Sequence, residues 1–164
     1  MSKSRTIIAP ATVPGRGGVS VLRMSGALSK TIAERMCGEL AEARCFKRCS
    51  IKSRGGSKID DGLVVFFKSP NSYTGDDVIE FHCHGNPTIV SLVIEEAIAC
   101  GAVVAEPGEF TKTAFLNEKI DLVQAESVAD LINAQSEAAV VAANSSLSGK
   151  FSEQINLLLD GIIK

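Results

Sequence analysis

Apolar residues follow two different periods between Thr6 and Ala105. Short runs of clustered or alternating apolar side chains, separated by turns that contain glycine or proline, predict β-strands. Recurrence of apolar side chains every three or four residues predicts two helices among these strands. The predicted strands are Thr6–Ala9, Val19–Ser25, Arg44–Ser53, Gly62–Lys68, Asp77–His84 and Ala102–Ala105. This mixture of strands and helices predicts an α+β domain.

Capping residues indicate where the two helices begin and end. The first, ALSKTIAERMC, is expected to begin at Ser25 or Gly26 and to stop at Gly38, because glycine is common just beyond a helix C-terminus. Asn86 and Pro87 predict the start of the second helix. An asparagine side chain caps free backbone N–H groups, and proline fits the first helical position.

The composition changes after the stretch PGEF. From Phe110 to Lys164 there is no proline, only two glycines occur and alanine is frequent, which predicts an all-helical segment. We predict a first domain over residues 1–118 and the N-terminal part of a helical domain over residues 119–164. An apolar stripe near the C-terminus is expected either to fray or to pack against a second copy of itself. Its members are Leu147, Phe151, Ile155, Leu158 and Ile162.

The overall charge argues against a protein whose main task is to coat nucleic acid. Lysine and arginine together number 17 and aspartate and glutamate 19, which gives a formal net charge of −2, whereas duplex binding usually shows as a basic face. A weak or shared RNA contact is still compatible with this charge. Apolar residues make up 45% and charged residues 22%, the balance of an ordinary soluble globular protein.

The five cysteines predict neither a disulfide framework nor a zinc site. Their number is odd and no Cys-x-x-Cys pair occurs, so we expect reduced thiols in a cytoplasmic protein. The first residues, MSKSRTIIAP, are too weakly apolar for a signal peptide, and no run approaches the roughly 18 apolar residues of a membrane span. We therefore expect no membrane partner.

Candidate chemistry concentrates in the predicted strand EFHCH. Side chains alternate across a strand, so Glu80, His82 and His84 share one face and are candidates for lining a polar pocket. A metal site and a solvated strand face are the alternatives. Two histidines do not complete a metal site, because a third ligand must come from elsewhere.

Two further features concern anions. The glycine-rich loop PGRGG is able to bring backbone N–H groups close to an anion, but it matches neither a dinucleotide-binding fingerprint nor a P-loop. We therefore expect these 164 residues neither to bind nor to hydrolyse GTP. Lys112 and Lys119 are the only lysines between Lys68 and Lys150, which makes their stretch a candidate for holding an anionic group.

Three long blocks resemble the N-terminal region of the MnmE (TrmE) family of tRNA modification GTPases. They are TIIAPATVPGRGGVSVLRMSG, PNSYTGDDVIEFHCHGNP and EPGEFTKTAFLNEKIDLVQAESVADLINA, in the order and spacing of the family. The chain departs from the family pattern at Val13, Asp76, Asn86, Thr113 and Glu118, where the family usually has proline, glutamate, glycine, arginine and glycine. The resemblance covers nearly the whole chain.

The resemblance implies a fold, a cofactor and partners. It implies a mixed-sheet domain similar to the tetrahydrofolate-binding domain of glycine-cleavage T proteins, followed by a helical segment. It implies a homodimer that binds formyl- or methylene-tetrahydrofolate and works with the flavoprotein MnmG in carboxymethylaminomethyl addition to the wobble uridine of tRNA. In the family, a GTPase domain that binds GTP, magnesium and potassium follows, and we expect those sites to lie outside this chain.

The resemblance also implies which residues contact the folate. Family contacts carry over onto Arg23, Glu80 and Lys119. A carboxylate such as Glu80 accepts a pair of hydrogen bonds from the donor edge of a pterin ring, and the cations Arg23 and Lys119 neutralise the carboxylates of the glutamate tail. No catalytic or metal-binding residue is expected. The alternative functions are a stand-alone folate-dependent aminomethyltransferase and a dimerisation scaffold that binds no folate.

Overall fold

The computed structural model describes residues 5–149. Within this range the chain forms six strands and five helices, which confirms the predicted α+β class. The strands are β1 (Ile7–Pro10), β2 (Gly17–Ser25), β3 (Lys47–Lys52), β4 (Lys58–Phe67), β5 (Val78–Gly85) and β6 (Val103–Val104). The helices are α1 (Ser29–Cys37), α2 (Pro87–Ala99), α3 (Glu109–Leu116), α4 (Leu122–Asn133) and α5 (Glu137–Leu147). The chain divides into two compact units, of which one ends at Phe110 and the other begins at Thr111.

The first unit is built on a single mixed sheet with the strand order β3-β4-β5-β2-β1-β6. Neighbouring strands pair antiparallel, except that β1 and β6 are parallel. The two central strands are β5 and β2, and their register sets Arg23 directly opposite Glu80. The predicted mixed sheet is therefore confirmed, and two of the predicted site residues lie at its centre.

The hydrophobic core lies on one face of this sheet. Ile32 of α1 and Val93 of α2 are buried against strand residues such as Leu22 and Phe81. Full burial of a side chain of this size stabilises the fold by about 1.5–3 kcal/mol. Because side chains alternate along a strand, the residues between the core positions face the other side of the sheet. That second face carries the polar candidates.

The helix α1 stops before Gly38, as predicted, but it begins at Ser29, later than the predicted start at Ser25 or Gly26. Gly26 has a φ of +128°, outside the helical region, and its N–H donates to the carbonyl of Asp77 at 3.0 Å. A Cβ on Gly26 would lie 2.7 Å from the Cα of Thr6. The close approach of Thr6 and the bond to Asp77 therefore delay the helix.

The helix α2 begins as predicted. Asn86 Oδ1 accepts a hydrogen bond from the N–H of Thr88 at 2.9 Å, and Pro87 is the first helical residue. The cap satisfies one of the backbone N–H groups that every helix N-terminus leaves without an intrahelical partner. The start of α2 is fixed by three consecutive residues.

The strand β4 begins at Lys58, four residues before the predicted start at Gly62. The turn that joins it to β3 is shorter than the sequence suggests, because Ser53 N–H donates to Ser57 O at 2.9 Å. Asp60 and Asp61 pair with β3 within the sheet. These polar residues had the composition of a loop, yet they form a strand.

The second unit is helical throughout its described part, which confirms the predicted change of class. Asp121 and Gln124 form a reciprocal capping box at the start of α4, and Gln124 Nε2 donates to Leu147 O at the end of α5 at 3.0 Å. The predicted domain boundary between residues 118 and 119 stays a prediction. Of the predicted apolar stripe, every member after Leu147 lies outside the described residues. Between residues 5 and 149, no helix combines the length and apolar character that crossing a membrane requires.

Candidate functional site

Arg23 and Glu80 form an ion pair at the centre of the sheet face opposite the hydrophobic core. The Nε and Nη2 atoms of Arg23 both donate to Oε1 of Glu80, at 3.0 and 2.8 Å. The side chains are 30% and 16% exposed, so water screens the pair only in part. Charge-assisted bonds of this kind are stronger than neutral ones and fix the orientation of both groups. The pair is a preformed polar site on rigid strands.

Two aromatic rings flank the guanidinium of Arg23. Its Cζ lies 5.3 Å from the ring centroid of Tyr73 and 5.9 Å from that of Phe110, both within cation–π range. The loop that carries Tyr73 is anchored by a buried hydroxyl–hydroxyl hydrogen bond of 2.7 Å between Ser25 and Thr74. The arginine is therefore held by a carboxylate and by two rings.

His82 lies beside Glu80 on the same face of β5, as the alternation of side chains predicted, and the two form a polar row. Its Nε2 lies 3.5 Å from Oε2 of Glu80, is buried, and has no hydrogen-bond partner among the described residues. The edge of the imidazole meets the ring of Phe46, with centroids 5.1 Å apart, and Phe46 is itself 58% exposed. A buried polar atom without a partner is costly, so His82 Nε2 is a candidate for contact with a ligand.

His84 shares the predicted face but has a different partner. Asp60 Oδ1 lies 2.8 Å from Nδ1 of His84, and Oδ2 accepts from the backbone N–H of His84 at 2.8 Å. The carboxylate is nearly buried, whereas the imidazole is 68% exposed. His84 therefore belongs to a separate pair and not to the row of Glu80 and His82. Within residues 5–149 there is no group of three side chains suited to hold a metal ion.

The pair of Asp60 and His84 predicts a pH effect on stability. Burial alone would raise the pKa of Asp60, but hydrogen bonds from the backbone and ring of His84 and from the Asp61 backbone lower it below its usual range. A depressed folded-state pKa stabilises the fold above the unfolded pKa of about 3.9, and this stabilisation is lost as the pH falls through the folded pKa.

We expect Asp60→Asn to lower the free energy of unfolding near neutral pH, and the difference from wild type to shrink as the pH falls below about 4. Urea unfolding at a series of pH values measures this difference. Asp130→Asn, which changes an exposed carboxylate in α4, serves as the matched control. A wild-type advantage over Asp60→Asn that stays constant down to the lowest pH would contradict the assignment.

The structure brings Arg23 and Glu80 together, whereas Lys119 belongs to the second unit. The backbone N–H of Lys119 donates to Ala114 O at 2.9 Å, which closes the end of α3. Glu118, immediately before it, has a φ of +57°, in the left-handed region that favours glycine. The family departure at Glu118 therefore falls at a position where the backbone itself favours glycine.

Glu118→Gly is expected to raise the free energy of unfolding by about 1 kcal/mol, because the left-handed conformation penalises a residue with a Cβ. The midpoint of urea unfolding, followed by circular dichroism, measures the effect. Lys112→Gly places the same residue in the interior of α3 and should lower stability by a similar amount. If Glu118→Gly loses as much stability as Lys112→Gly, the φ of Glu118 is not strained.

Sequence reasoning missed the aromatic residues of the site. Tyr73 and Phe46 approach the site from loops and Phe110 approaches it from the first turn of α3, and no local pattern predicts where such a ring will lie. One signal was available. Tyr73, the single tyrosine of the chain, lies in the same resembling block as Glu80.

The glycine-rich loop lines a cavity of its own. This cavity, of about 240 Å³, lies between the loop and the first turns of α2. Thr12, Pro14 and Gly15 contribute from the loop, and Ser91 and Ile94 from the helix. The lining is polar at Thr12, Ser20 and Ser91 and carries no charged side chain.

The five cysteines are free thiols that differ in exposure. A hydrogen bond between Cys37 and Cys49 raises the pKa of Cys37, with burial adding to the rise, and lowers the pKa of Cys49 against the effect of burial. Burial, helped by the nearby carboxylate of Asp60, raises the pKa of Cys83 to about 11. Cys45 is exposed and adjoins Phe46 in the chain.

Comparison with known proteins identifies the family. The sequence profile described as GTP-binding protein TrmE N-terminus matches residues 6–119. The tRNA modification GTPase MnmE of Pseudoalteromonas translucida (strain TAC 125) is 44% identical over 164 residues, which cover 99% of this chain and 36% of the relative. The protein of that name from Francisella tularensis subsp. holarctica (strain OSU18) is 49% identical over 158 residues, or 96% of this chain and 35% of the relative. The chain thus spans about a third of the length of these relatives. With most of its residues matched by that profile, the chain belongs to the TrmE N-terminus family.

Proposed function

We propose that the chain serves tRNA modification by binding a one-carbon tetrahydrofolate at the pair formed by Arg23 and Glu80. The relatives are named tRNA modification GTPases, which supports the general role. The observation that carries the specific proposal is a largely buried carboxylate, fixed by an arginine whose guanidinium lies against two aromatic rings. A flat heterocycle with a row of hydrogen-bond donors requires such a combination.

Glu80 has capacity left for a ligand. Both of its hydrogen bonds to Arg23 end at Oε1, while Oε2 lies 3.5 Å from the Nε2 of His82. A carboxylate has lone pairs on both oxygens, so Glu80 is able to accept further N–H donors while Arg23 stays bound. The donor edge of a pterin ring supplies such a pair of N–H groups. Glu80 is accordingly assigned to the pterin edge.

Arg23 has two roles in this proposal. Its pairing with Glu80 compensates much of its charge, so it orients that carboxylate first. The guanidinium also retains N–H donors beyond the two that Glu80 accepts, and these suit acceptor atoms of the ligand. Lys119 is assigned to the carboxylates of the glutamate tail through the family resemblance. In this proposal Lys119, rather than Arg23, provides most of the electrostatic attraction for the carboxylates of the tail.

The remaining parts of the proposal rest on family membership. They are a fold related to the tetrahydrofolate-binding domain of glycine-cleavage T proteins, a homodimer formed through residues 1–118, and action with the flavoprotein MnmG on the wobble uridine of tRNA. A bound formyl- or methylene-tetrahydrofolate supplies the carbon unit. The chain's own residues bind and orient the cofactor, and GTP, magnesium and potassium belong to the remainder of the longer family proteins.

Calorimetric titration of formyl-tetrahydrofolate into the 164-residue chain tests the proposal. We expect saturable binding that a metal chelator does not change, because the contacts are hydrogen bonds and ion pairs. Sedimentation of the same sample at several concentrations tests the dimer. Absence of folate binding by a folded dimer would favour the scaffold alternative, and loss of binding in the chelator would favour a metal site.

A further inference from the structure

A second polar site lies at the turn between β3 and β4, beside α1 and α2 and on the helix-covered side of the sheet. It is an open cavity of about 410 Å³. Basic and small residues of the turn meet polar residues of both helices, together with Met36 of α1. These residues are Arg35 of α1, Lys52, Ser53, Arg54 and Gly56 of the turn region, and Glu96 of α2.

Arg54 is held in place although its side chain is 61% exposed. Glu96 Oε1 lies 3.1 Å from Nε of Arg54 and accepts the backbone N–H of Arg54 at 2.9 Å. Nη1 of Arg54 donates to the carbonyl of Ala99 at 3.1 Å, where α2 ends. A cation anchored at both ends loses little conformational entropy when it binds an anion.

The charge of this cavity opposes that of the whole chain. Three cations, Arg35, Lys52 and Arg54, face one carboxylate, Glu96, so the lining has a formal charge of +2, whereas the chain carries −2. The carboxylate is already occupied by Arg54, and neither Arg35 nor Lys52 has a carboxylate within ion-pair distance among the described residues. The cavity therefore retains net attraction for an anion.

The positive charge is confined to this cavity. A neighbouring cavity of about 380 Å³ shares Ser53, Arg54 and Glu96 and adds Ser57, Lys58 and Glu95, so its two cations face two carboxylates. Neither lining contains an aromatic side chain on which a base would stack. Cationic side chains without aromatic neighbours suit the phosphate groups of a nucleic-acid backbone, whose recognition does not depend on base sequence.

We propose that Arg35, Lys52 and Arg54 form a contact site for the phosphodiester backbone of RNA. The inference rests on the tRNA modification role proposed above, and the substrate class is a tRNA strand. The site lies on the opposite side of the sheet from Arg23 and Glu80, so RNA and folate bind independently. It also explains how a chain with net negative charge makes a local RNA contact.

Fluorescence anisotropy of an end-labelled, unmodified tRNA transcript, titrated with the full chain at several salt concentrations, tests the inference. We expect the double variant Arg35→Gln/Lys52→Gln to bind about tenfold more weakly and its salt slope to fall by about two, because two phosphate contacts are lost. Lys52→Gln alone should weaken tRNA binding less than the double variant and lower the salt slope by about one, because one phosphate contact is lost. This single variant is used instead if the double variant unfolds.

The matched control is Lys30→Gln/Arg48→Gln, which removes two exposed cations outside the cavity and changes the net charge equally. We expect it to retain wild-type affinity within about twofold. Equal weakening in both double variants, or no tRNA binding by the wild type, overturns the inference. Folate titration of Arg35→Gln/Lys52→Gln should match wild type, so failure here is distinguishable from failure of the folate proposal.

Discussion

Glu80→Ala is expected to weaken the binding of formyl-tetrahydrofolate by about 10- to 100-fold. Each charge-assisted hydrogen bond contributes about 1.5–3 kcal/mol, and removal of the carboxylate leaves the donors of the ligand without acceptors. The same change frees the guanidinium of Arg23, which is only 30% exposed and then lacks its anion. Calorimetric titration of the variant alongside wild type measures the loss.

Three further variants make this result specific. His84→Ala is the matched control, because His84 lies on the same strand face but pairs with Asp60. His82→Ala and Lys119→Ala should each cost less than Glu80→Ala, since a tail carboxylate released from Lys119 is still hydrated. Wild-type affinity in Glu80→Ala would show that the ligand does not bind at Glu80, and an equal loss in His84→Ala would show that the effect is not specific to the pair of Arg23 and Glu80.

Gly26→Ala is expected to lower the free energy of unfolding by about 3 kcal/mol or more, since two penalties combine. A φ of +128° is a conformation that residues with a Cβ rarely adopt, and the new Cβ would lie 2.7 Å from the Cα of Thr6. Backbone atoms cannot turn aside as a flexible side chain does. Thermal and urea unfolding of the purified variant measure the loss.

Gly18→Ala serves as the control for the substitution itself. Gly18 lies in β2, has no atom within 4 Å of a built Cβ, and does not have a positive φ. Its replacement should change stability by less than about 1 kcal/mol. If the two variants unfold at the same urea concentration, the junction between β2 and α1 is more compliant than its geometry implies.

The sequence predicted those parts of the fold that depend on neighbouring residues. The start of α2 required only the cap and the proline that follows it, so Asn86 and Pro87 were sufficient. The start of α1 was predicted too early, because the conformation of Gly26 depends on Thr6 and Asp77, which are distant in the chain. A short sequence pattern predicts the start of a helix only where the residues that determine this start are neighbours in the chain.

The same distinction applies to the candidate site. Alternation along β5 was enough to put Glu80 and His82 on one face. The bonds between Arg23 and Glu80 join residues 57 positions apart, and they depend on the register of two strands, which no short pattern specifies. Tyr73 reaches Arg23 from a loop and Phe110 reaches it from the start of α3, so their part in the site appears only in three dimensions.

The unequal exposure of the thiols supplies a built-in attachment point for a spectroscopic reporter. Cys45 is exposed, whereas the other four thiols are buried or partly covered, so a maleimide dye should react first at Cys45. The adjacent Phe46 meets the edge of His82 beside Glu80. A dye on Cys45 would thus sit at the border of the candidate folate site, and its emission would follow ligand binding in the wild-type chain without any engineered cysteine.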